Sequence, residues 1–513
     1  MARAELSARP PLVNQIARAF SAWRYEPQRR DARFDLLRGF AVFVMIADHI
    51  GGDSWLFAIT GGNQFFISAA EGFVFIAGLV MGIVYAPIAA RQGLRAVVRK
   101  SSKRALTLYA QMILVTFVFA ALSYHEEMGW VPTLTAAEAP GWVWSILTLH
   151  RAYFLTDVLL LYTFLIAAAG PLLVLLRRGF TAYVLVGSWA LWALWQIAPD
   201  HAHVPWPIEQ NSMFNVAAWQ VLFVSGLAIG FHRKAIERRL ARVPHGLVFL
   251  VTGLAVASII ALYTTHLTPF EGTAYYDALK DQLTGKADVR LGRLLVFAIF
   301  ATFFFTGVTL LWRPIQRGLG WLLMPLGRHS MFAYGSHLFL IVAVVDGRYY
   351  LADHVTDSPQ QNTLIQLACI LVVWALVHAR LRGPALATAA LRQLGAVAPR
   401  DLVTASLRPL GTFPKVEPPT LVRTGVLVGI ACAALLVAGD HAAAGSPPDS
   451  IRSAAAVAST FVSEPLDVTE PANDVEAPSV ALPTASEVST EAIPLHYPVR
   501  LHRRHPDAPV TGI

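Results

Sequence analysis

About eleven stretches of this chain are apolar over roughly the thickness of a lipid bilayer, and no other feature narrows the fold as much. They fall near residues 34–50, 67–88, 104–123, 146–175, 180–198, 214–231, 246–263, 293–312, 324–345, 362–379 and 421–439. A helix rises about 1.5 Å per residue, so about 20 apolar residues cross a hydrocarbon core of about 30 Å. Lipid offers no hydrogen-bond partners, and a crossing segment must satisfy its own backbone, as a helix does. Only 14% of the 513 residues are charged and 55% are hydrophobic, against about 25% charged in soluble domains. The expected fold is all-α: a polytopic transmembrane helix bundle of about 10–11 spans.

The charges between these stretches alternate by sign. Arginines and lysines gather in loops at Arg91–Arg104, Arg177–Arg178, Arg233–Arg242, Arg313–Arg328 and Arg380–Arg392. The intervening loops hold Asp53, then Glu126, Glu127 and Glu138, then Asp200 and Glu209, then Glu271, Asp277, Asp281 and Asp288, then Asp346, Asp353 and Asp357. Basic loops stay in the cytosol, so the N-terminus is expected there and the acidic loops outside. The net charge of +8 is spread over these short loops, and no nucleic-acid partner is expected; the lipid bilayer is. Cys369 and Cys432 both lie in apolar stretches, which supports neither a disulfide framework nor a metal site.

The expected organisation has five parts. Residues 1–33 form a basic cytosolic segment without a signal-peptide core. Residues 34–380 form the bundle. A cytosolic linker follows over 381–420, then a candidate extra helix over 421–439. Residues 440–513, rich in Pro, Ser, Thr and Ala, form a disordered tail.

The first stretch is unusual in what it carries: Asp35, Arg38, Asp48 and His49. A charge at the centre of a membrane helix costs about 2.5–3.5 kcal/mol on insertion scales. Arg38 and His49 are eleven residues apart, so at about 100° per residue they share a face, about 16 Å apart along the axis. Asp35 is within pairing reach of Arg38. A plain reading makes Arg38 and Asp35 an interfacial pair and His49 an end cap. The sharper reading is one helix face that presents a cation near one end, with Asp35 beside it, and an imidazole near the other. Glu71, just inside the second stretch, lies at the same end as His49. A carboxylate beside an imidazole fixes its tautomer and stabilises the imidazolium, as a general base requires. Asp48 is the alternative orienter. Glu71 also suits a helix N-terminus electrostatically.

Further polar residues sit in or beside later stretches: Asp157 with Tyr162, Asn215 with Gln220, Arg328, His329 and Ser330, and His337. Each fits an interhelical hydrogen bond; together they suggest a polar cavity. No phosphate-binding loop, dinucleotide fingerprint, zinc-protease helix or nucleophile elbow is present, and no metal or bound cofactor is expected.

Arg-x10-His in a first membrane helix resembles the signature of the acyltransferase-3 superfamily. Arg33-Phe-Asp35-Leu-Leu-Arg38-Gly, Asp48-His49, Ala70-Glu71-Gly-Phe-Val-Phe-Ile-Ala-Gly78, Asp157-Val-Leu-Leu-Leu-Tyr162, Phe214-Asn215-Val-Ala-Ala-Trp219-Gln220 and Gly327-Arg328-His329-Ser330 follow in order over residues 30–380. That ordered set resembles the OpgC group. The resemblance implies an inner-membrane acyltransferase of about ten helices. It implies an acyl-CoA co-substrate, with succinyl-CoA the best-known donor, and glucose units of periplasmic glucans as the saccharide acceptor. The competing expectation is a transporter of a saccharide or small anion that uses the same polar residues as a proton relay. No internal repeat of the kind common in transporters is visible.

Overall fold

The computed structural model of the protein describes residues 22–397, apart from 29, 126–137, 154, 212, 265–279, 342–343 and 345–357. The candidate span 421–439, the tail, the linker beyond 397 and most of the N-terminal segment lie outside the described residues. Within them the chain is a helix bundle. Its helices are α1 (Ala32–Ile50), α2 (Ala69–Gln92), α3 (Leu94–His125), α4 (Ala139–Leu147), α5 (Asp157–Arg177), α6 (Thr181–Ile197), α7 (Val216–Phe231), α8 (Arg233–Leu240), α9 (His245–Thr264), α10 (Leu291–Leu310), α11 (Trp312–Arg328), α12 (Ser330–Ile341) and α13 (Pro359–Val397). Among the described residues six helices are long and apolar enough to cross a membrane, and α7 with α8, bent by 75°, would make a seventh crossing. The protein is a multi-pass membrane protein. α1 is 19 residues long, but Arg33, Asp35, Arg38 and Asp48 keep it out of that apolar set; α6 and α12, with 17 and 12 residues, are shorter.

Two expected segments are corrected. The stretch 146–175 is not one helix. α4 ends at Leu147 and α5 starts at Asp157, and between them Leu149 and Leu155 take positive φ values of 60° and 71°. The break holds because Arg151 pairs with Glu209 through both side chain and backbone bridge. The stretch 324–345 is two elements. Its first part belongs to α11, which begins at Trp312 and includes Arg313 and Arg317, residues expected in a loop. α11 lies across one end of the bundle. At its start Trp312 meets Tyr25 edge-on at 5.0 Å and Arg313 pairs with Glu26; near its finish a Cβ on Gly327 would lie 1.7 Å from the Asp35 carbonyl oxygen. Both of its ends therefore touch the chain around the start of α1.

Glycines set the closest helix contacts. A Cβ on Gly78 or Gly82 of α2 would lie 2.1 or 2.3 Å from the carbonyl oxygens of Phe223 or Leu227 on α7. Reciprocally, one on Gly226 or Gly230 of α7 would lie 2.4 or 2.0 Å from those of Phe75 or Leu79. Each helix thus contributes a Gly-x3-Gly face, the arrangement that lets membrane helices pack backbone to backbone. α9, in contrast, buries only Val256 and forms the periphery.

The beginning of α1 is tied down by charge. Asp31 is its N-cap, accepting from the Arg33 backbone N–H at 3.1 Å. Asp31 Oδ2 also accepts from Arg33 Nη2 at 2.7 Å and from Arg233 Nη2, on α8, at 2.6 Å. Arg33 Nη1 donates to Thr309 Oγ1 at 2.8 Å, and its guanidinium lies 4.4 and 4.5 Å from the ring centres of Tyr25 and Phe305. Burial would raise Asp31, but the Arg33 hydrogen bonds and the Arg33 and Arg233 charges hold its carboxyl below the usual carboxylate range.

Candidate functional site

α1 carries the proposed site residues toward its two ends, and the structure gives each end different neighbours. At the finish of α1, His49 Nδ1 lies 3.0 Å from Nε2 of His337 on α12, with the rings stacked at 5.3 Å. His337 is buried, and its Nδ1 donates to the backbone carbonyl of Tyr334. That carbonyl can only accept. His337 must therefore carry its proton on Nδ1 and present a lone pair at Nε2. The lone pair in turn takes the proton on His49 Nδ1. His49 Nε2 is left unprotonated, with no hydrogen bond to any described residue. A chain of two bonds thus sets up an imidazole whose outer nitrogen can accept a proton.

Glu71 does not occupy the place expected of it. Its carboxylate is buried and pairs with Arg293 of α10. It also caps its own helix, accepting from Ser68 N–H at 2.9 Å and Ser68 Oγ at 2.7 Å. Both oxygens are committed, and His337 holds the position beside His49 instead. Asp48 faces the loop at Thr60 and Asn63, as expected for the neighbour of His49 on a helix; its Oδ1 is buried without a hydrogen bond among the described residues.

At the other end, Asp35 is bonded by Arg30, at 2.8 Å, with Arg328 3.9 Å away. The expected Asp35–Arg38 pair is not found among the described residues: Arg30 bonds Oδ1, and Oδ2 is buried without a hydrogen bond. Arg38 has no ion pair or hydrogen bond among the described residues; its charge acts on Tyr162, Arg104, Asp35 and Arg30. Tyr162, on α5, is buried with an unbonded hydroxyl and meets Phe73 edge-on at 5.6 Å. Tyr334 stacks on the same Phe73 ring at 6.2 Å, and its hydroxyl donates to the Leu155 carbonyl at 2.9 Å. The side of α1 bearing Arg38 and His49 therefore looks toward α5 and α12.

The remaining polar residues divide. Asp157 is buried at the start of α5, accepting from Val158 N–H at 2.8 Å, and interacts with Tyr334. Gln220 is structural: it accepts from Ser188 Oγ at 2.6 Å and donates to the Ser188 carbonyl at 2.7 Å, joining α7 to α6. Asn215 is the N-cap of α7 and makes no side-chain cap bond. Arg328, His329 and buried Ser330 mark the junction of α11 and α12, at the Asp35 end.

Two cations at the His49 end were not singled out from sequence. Arg293 bridges Glu71 and the Thr284 carbonyl, the latter at 2.9 Å. Lys286 interacts electrostatically with Glu71, Arg293, Asp157, Asp48 and His49. Their signal was available: Lys286 stands among the acidic residues between α9 and α10, and Arg293 is a charge in the first turn of apolar α10.

The family model described as OpgC protein matches residues 30–382, from the arginine that pairs with Asp35 to beyond the last contact of α13 with the site. No curated protein and no solved structure matches the chain. The matched segment covers well over half of the sequence and contains every candidate site residue, and the chain belongs to the OpgC family.

Proposed function

We propose that the protein is an integral-membrane O-acyltransferase of the bacterial inner membrane. It moves an acyl group from a cytosolic acyl-CoA, succinyl-CoA among the candidates, to a hydroxyl of a periplasmic glucan. The N-terminus and the arginine-rich end face the cytosol in this reading, and the His49 end faces outward. Family membership supports a glucan-modifying role. The observation that carries the chemistry is the His49–His337–Tyr334 chain, which leaves His49 Nε2 as a proton acceptor.

The acceptor O–H gives its proton to His49 Nε2 as its oxygen attacks the thioester carbonyl. The tetrahedral intermediate then collapses, the C–S bond breaks, and the imidazolium returns the proton to the departing thiolate. Arg38, free of ion pairs within the described protein, suits the donor's phosphates. Attack by His49 itself, through an acyl-imidazole, uses the same nitrogen.

The test is mass spectrometry of periplasmic saccharides from cells with the wild-type gene, with His49→Ala and without the gene. Loss of an acyl mass increment in the last two supports the enzyme. Full acylation by His49→Ala removes His49 from the reaction, and unmodified saccharide retained inside the cell indicates export instead.

A further inference from the structure

His49 is the last residue but one of α1, and α1 closes weakly on its own. The Gly51 N–H reaches the Ala47 carbonyl at 3.4 Å, a long bond. Gly51 and Gly52 follow with φ values of 70° and 76°, a conformation that glycine adopts freely and that leaves the chain many ways out of the helix. The last carbonyls of a helix lack partners within it, so a helix end is set by whatever else bonds there. Here the imidazole that faces His337 sits on an end that its own sequence does not hold.

The first turns of α13 supply the hold. Asn362, Thr363 and Gln366 are all buried, and the spacing of Asn362 and Gln366 puts both amides on one face. Gln366 Nε2 donates to the Gly51 carbonyl at 3.0 Å, and Asn362 Nδ2 donates to the Asp53 carbonyl at 2.9 Å. Thr363 spends its one proton on the Pro359 carbonyl of its own helix, at 2.6 Å. Its oxygen therefore accepts, from the Trp55 N–H at 3.0 Å and from Ser54 Oγ at 3.0 Å. Ser54 Oγ in turn accepts from the Leu56 N–H at 3.1 Å. The fit is close, since a Cβ on Gly52 would lie 2.6 Å from Asn362 Nδ2. Three side chains of one helix thus fix the path of the chain over the residues that follow His49.

The two amides are a poor device for stability alone. Asn362 Oδ1 and Gln366 Oε1 are buried without a hydrogen bond among the described residues, and an unpaired buried acceptor opposes folding. Gly51 is half-exposed, so water could bond its carbonyl in place of Gln366. An apolar side chain at 366 would fill the same space without the unpaired oxygen. What it could not do is fix where the chain leaves α1. His337 is held from behind by the Tyr334 carbonyl; the α13 amides are the corresponding hold on the His49 side of the 3.0 Å bond.

We infer that Gln366 and Asn362 are positioning residues for His49, acting through the Gly51 and Asp53 carbonyls to keep its ring aligned with His337. The inference rests on the transfer reading given above. Displacing a reacting group by about 1 Å costs on the order of 10²-fold in rate, so a clamp of this kind governs turnover without touching substrate.

The experiment uses the full-length protein purified in detergent, as wild type, Gln366→Met, Asn362→Leu and the double variant. Gln360→Met is the control, since Gln360 is exposed and bonds only Ser358 among the described residues. Transfer is measured from succinyl-CoA to a glucan. Gln366→Met should lower kcat at least about 10-fold, with both KM values within about 2-fold of wild type. Its thermal midpoint should stay within about 2 °C of wild type. The double variant should be slower still, and Gln360→Met should match wild type. Unchanged kcat in Gln366→Met and in the double variant overturns the inference. So does a loss of kcat that only tracks a falling thermal midpoint with rising KM, or failure of both single variants to assemble, since the amides are then structural. A second readout does not depend on turnover: exchange of the His49 ring Cε1–H for deuterium, followed by mass spectrometry, should quicken in Gln366→Met and not in Gln360→Met. If wild type transfers no acyl group from any donor, the transferase reading fails, and ring exchange still decides whether α13 holds His49; equal exchange in all the proteins means that it does not.

Discussion

His49 and His337 are 288 residues apart in sequence, yet their ring nitrogens lie within 3.0 Å of one another. Because His337 is itself bonded to a backbone carbonyl, the pair has a direction: a proton entering at His49 Nε2 is stabilised by polarising the bond behind it. Replacing His337 by Leu should lower kcat by about 10²–10⁴-fold while leaving the donor KM nearly unchanged. His337→Gln keeps a carboxamide oxygen that can accept from His49 Nδ1–H, and should recover part of that loss. Equal inactivity of the Leu and Gln variants, with KM rising in both, would reduce His337 to a packing residue.

Glu71 and Arg293 form a buried ion pair joining α2 to α10. Removing one partner from such a pair costs about 3–5 kcal/mol, so Glu71→Gln should markedly lower the thermal midpoint in detergent. The Glu71→Gln/Arg293→Met double variant should lose less than the two single losses added together, with a coupling of about 0.5–3 kcal/mol. Strict additivity would separate the two side chains energetically, and a Glu71→Gln protein of full stability but no activity would restore it to the orienting role beside His49.

Gly230→Ala should prevent normal assembly, because its new Cβ would sit 2.0 Å from the Leu79 carbonyl oxygen. Gly187→Ala is the matched control, since nothing lies within 4 Å of a Cβ at that position of α6; in a helix interior it should be neutral or stabilising by about 0.5–1 kcal/mol. Size-exclusion profiles of the two proteins distinguish them. A monodisperse, wild-type-like Gly230→Ala protein would mean that the α2–α7 contact is looser than described.

Asp31 links Arg33 and Arg233, and its carboxyl is held below the usual range. The folded state thus binds the proton more weakly than the unfolded chain. The resulting stability is complete above the unfolded value of about 3.9 and is lost only as pH falls through the folded one. Asp31→Asn should therefore lower the thermal midpoint by the same amount at pH 8 and pH 5. A difference that shrinks between those two values would place the carboxyl's titration higher than this.

The architecture was legible because lipid imposes one strong rule: eight of the eleven apolar stretches each coincide with one described helix, and two more are divided between two helices. The rule failed where apolarity and helicity part company. Ala152, Tyr153 and Leu155 are as buried as any helical residue, yet they lie in the break held by Arg151 and Glu209. α11 went unread as a helix because its arginines resemble a loop when counted rather than projected around an axis. In the site, His49 stood out by the expense of placing it there, but its partner did not. Glu71 was favoured because it follows soon after His49 in sequence, and chain proximity says little about which of several helices packs alongside. Lys286 was visible as a cation in an acidic loop, and Arg293 as a charge at the start of an apolar helix. Treated as exceptions to a charge pattern, they would have pointed to the site directly. The four glycines of the α2–α7 contact were also plain in the sequence; what it could not show was that the two Gly-x3-Gly faces meet each other.

That contact bears on how anything bulky gets in. Where carbonyl oxygens rest directly on glycine Cα atoms, no side chain can swing aside, and sliding by even part of a residue would jam one backbone on the other. α2 and α7 must travel as one keel. Any opening of the bundle has to come at other contacts, and the one between α1 and α11 is ruled out in the same way, since a Cβ on Gly39 or Gly327 would lie 1.9 or 1.7 Å from the carbonyl oxygens of Leu323 or Asp35.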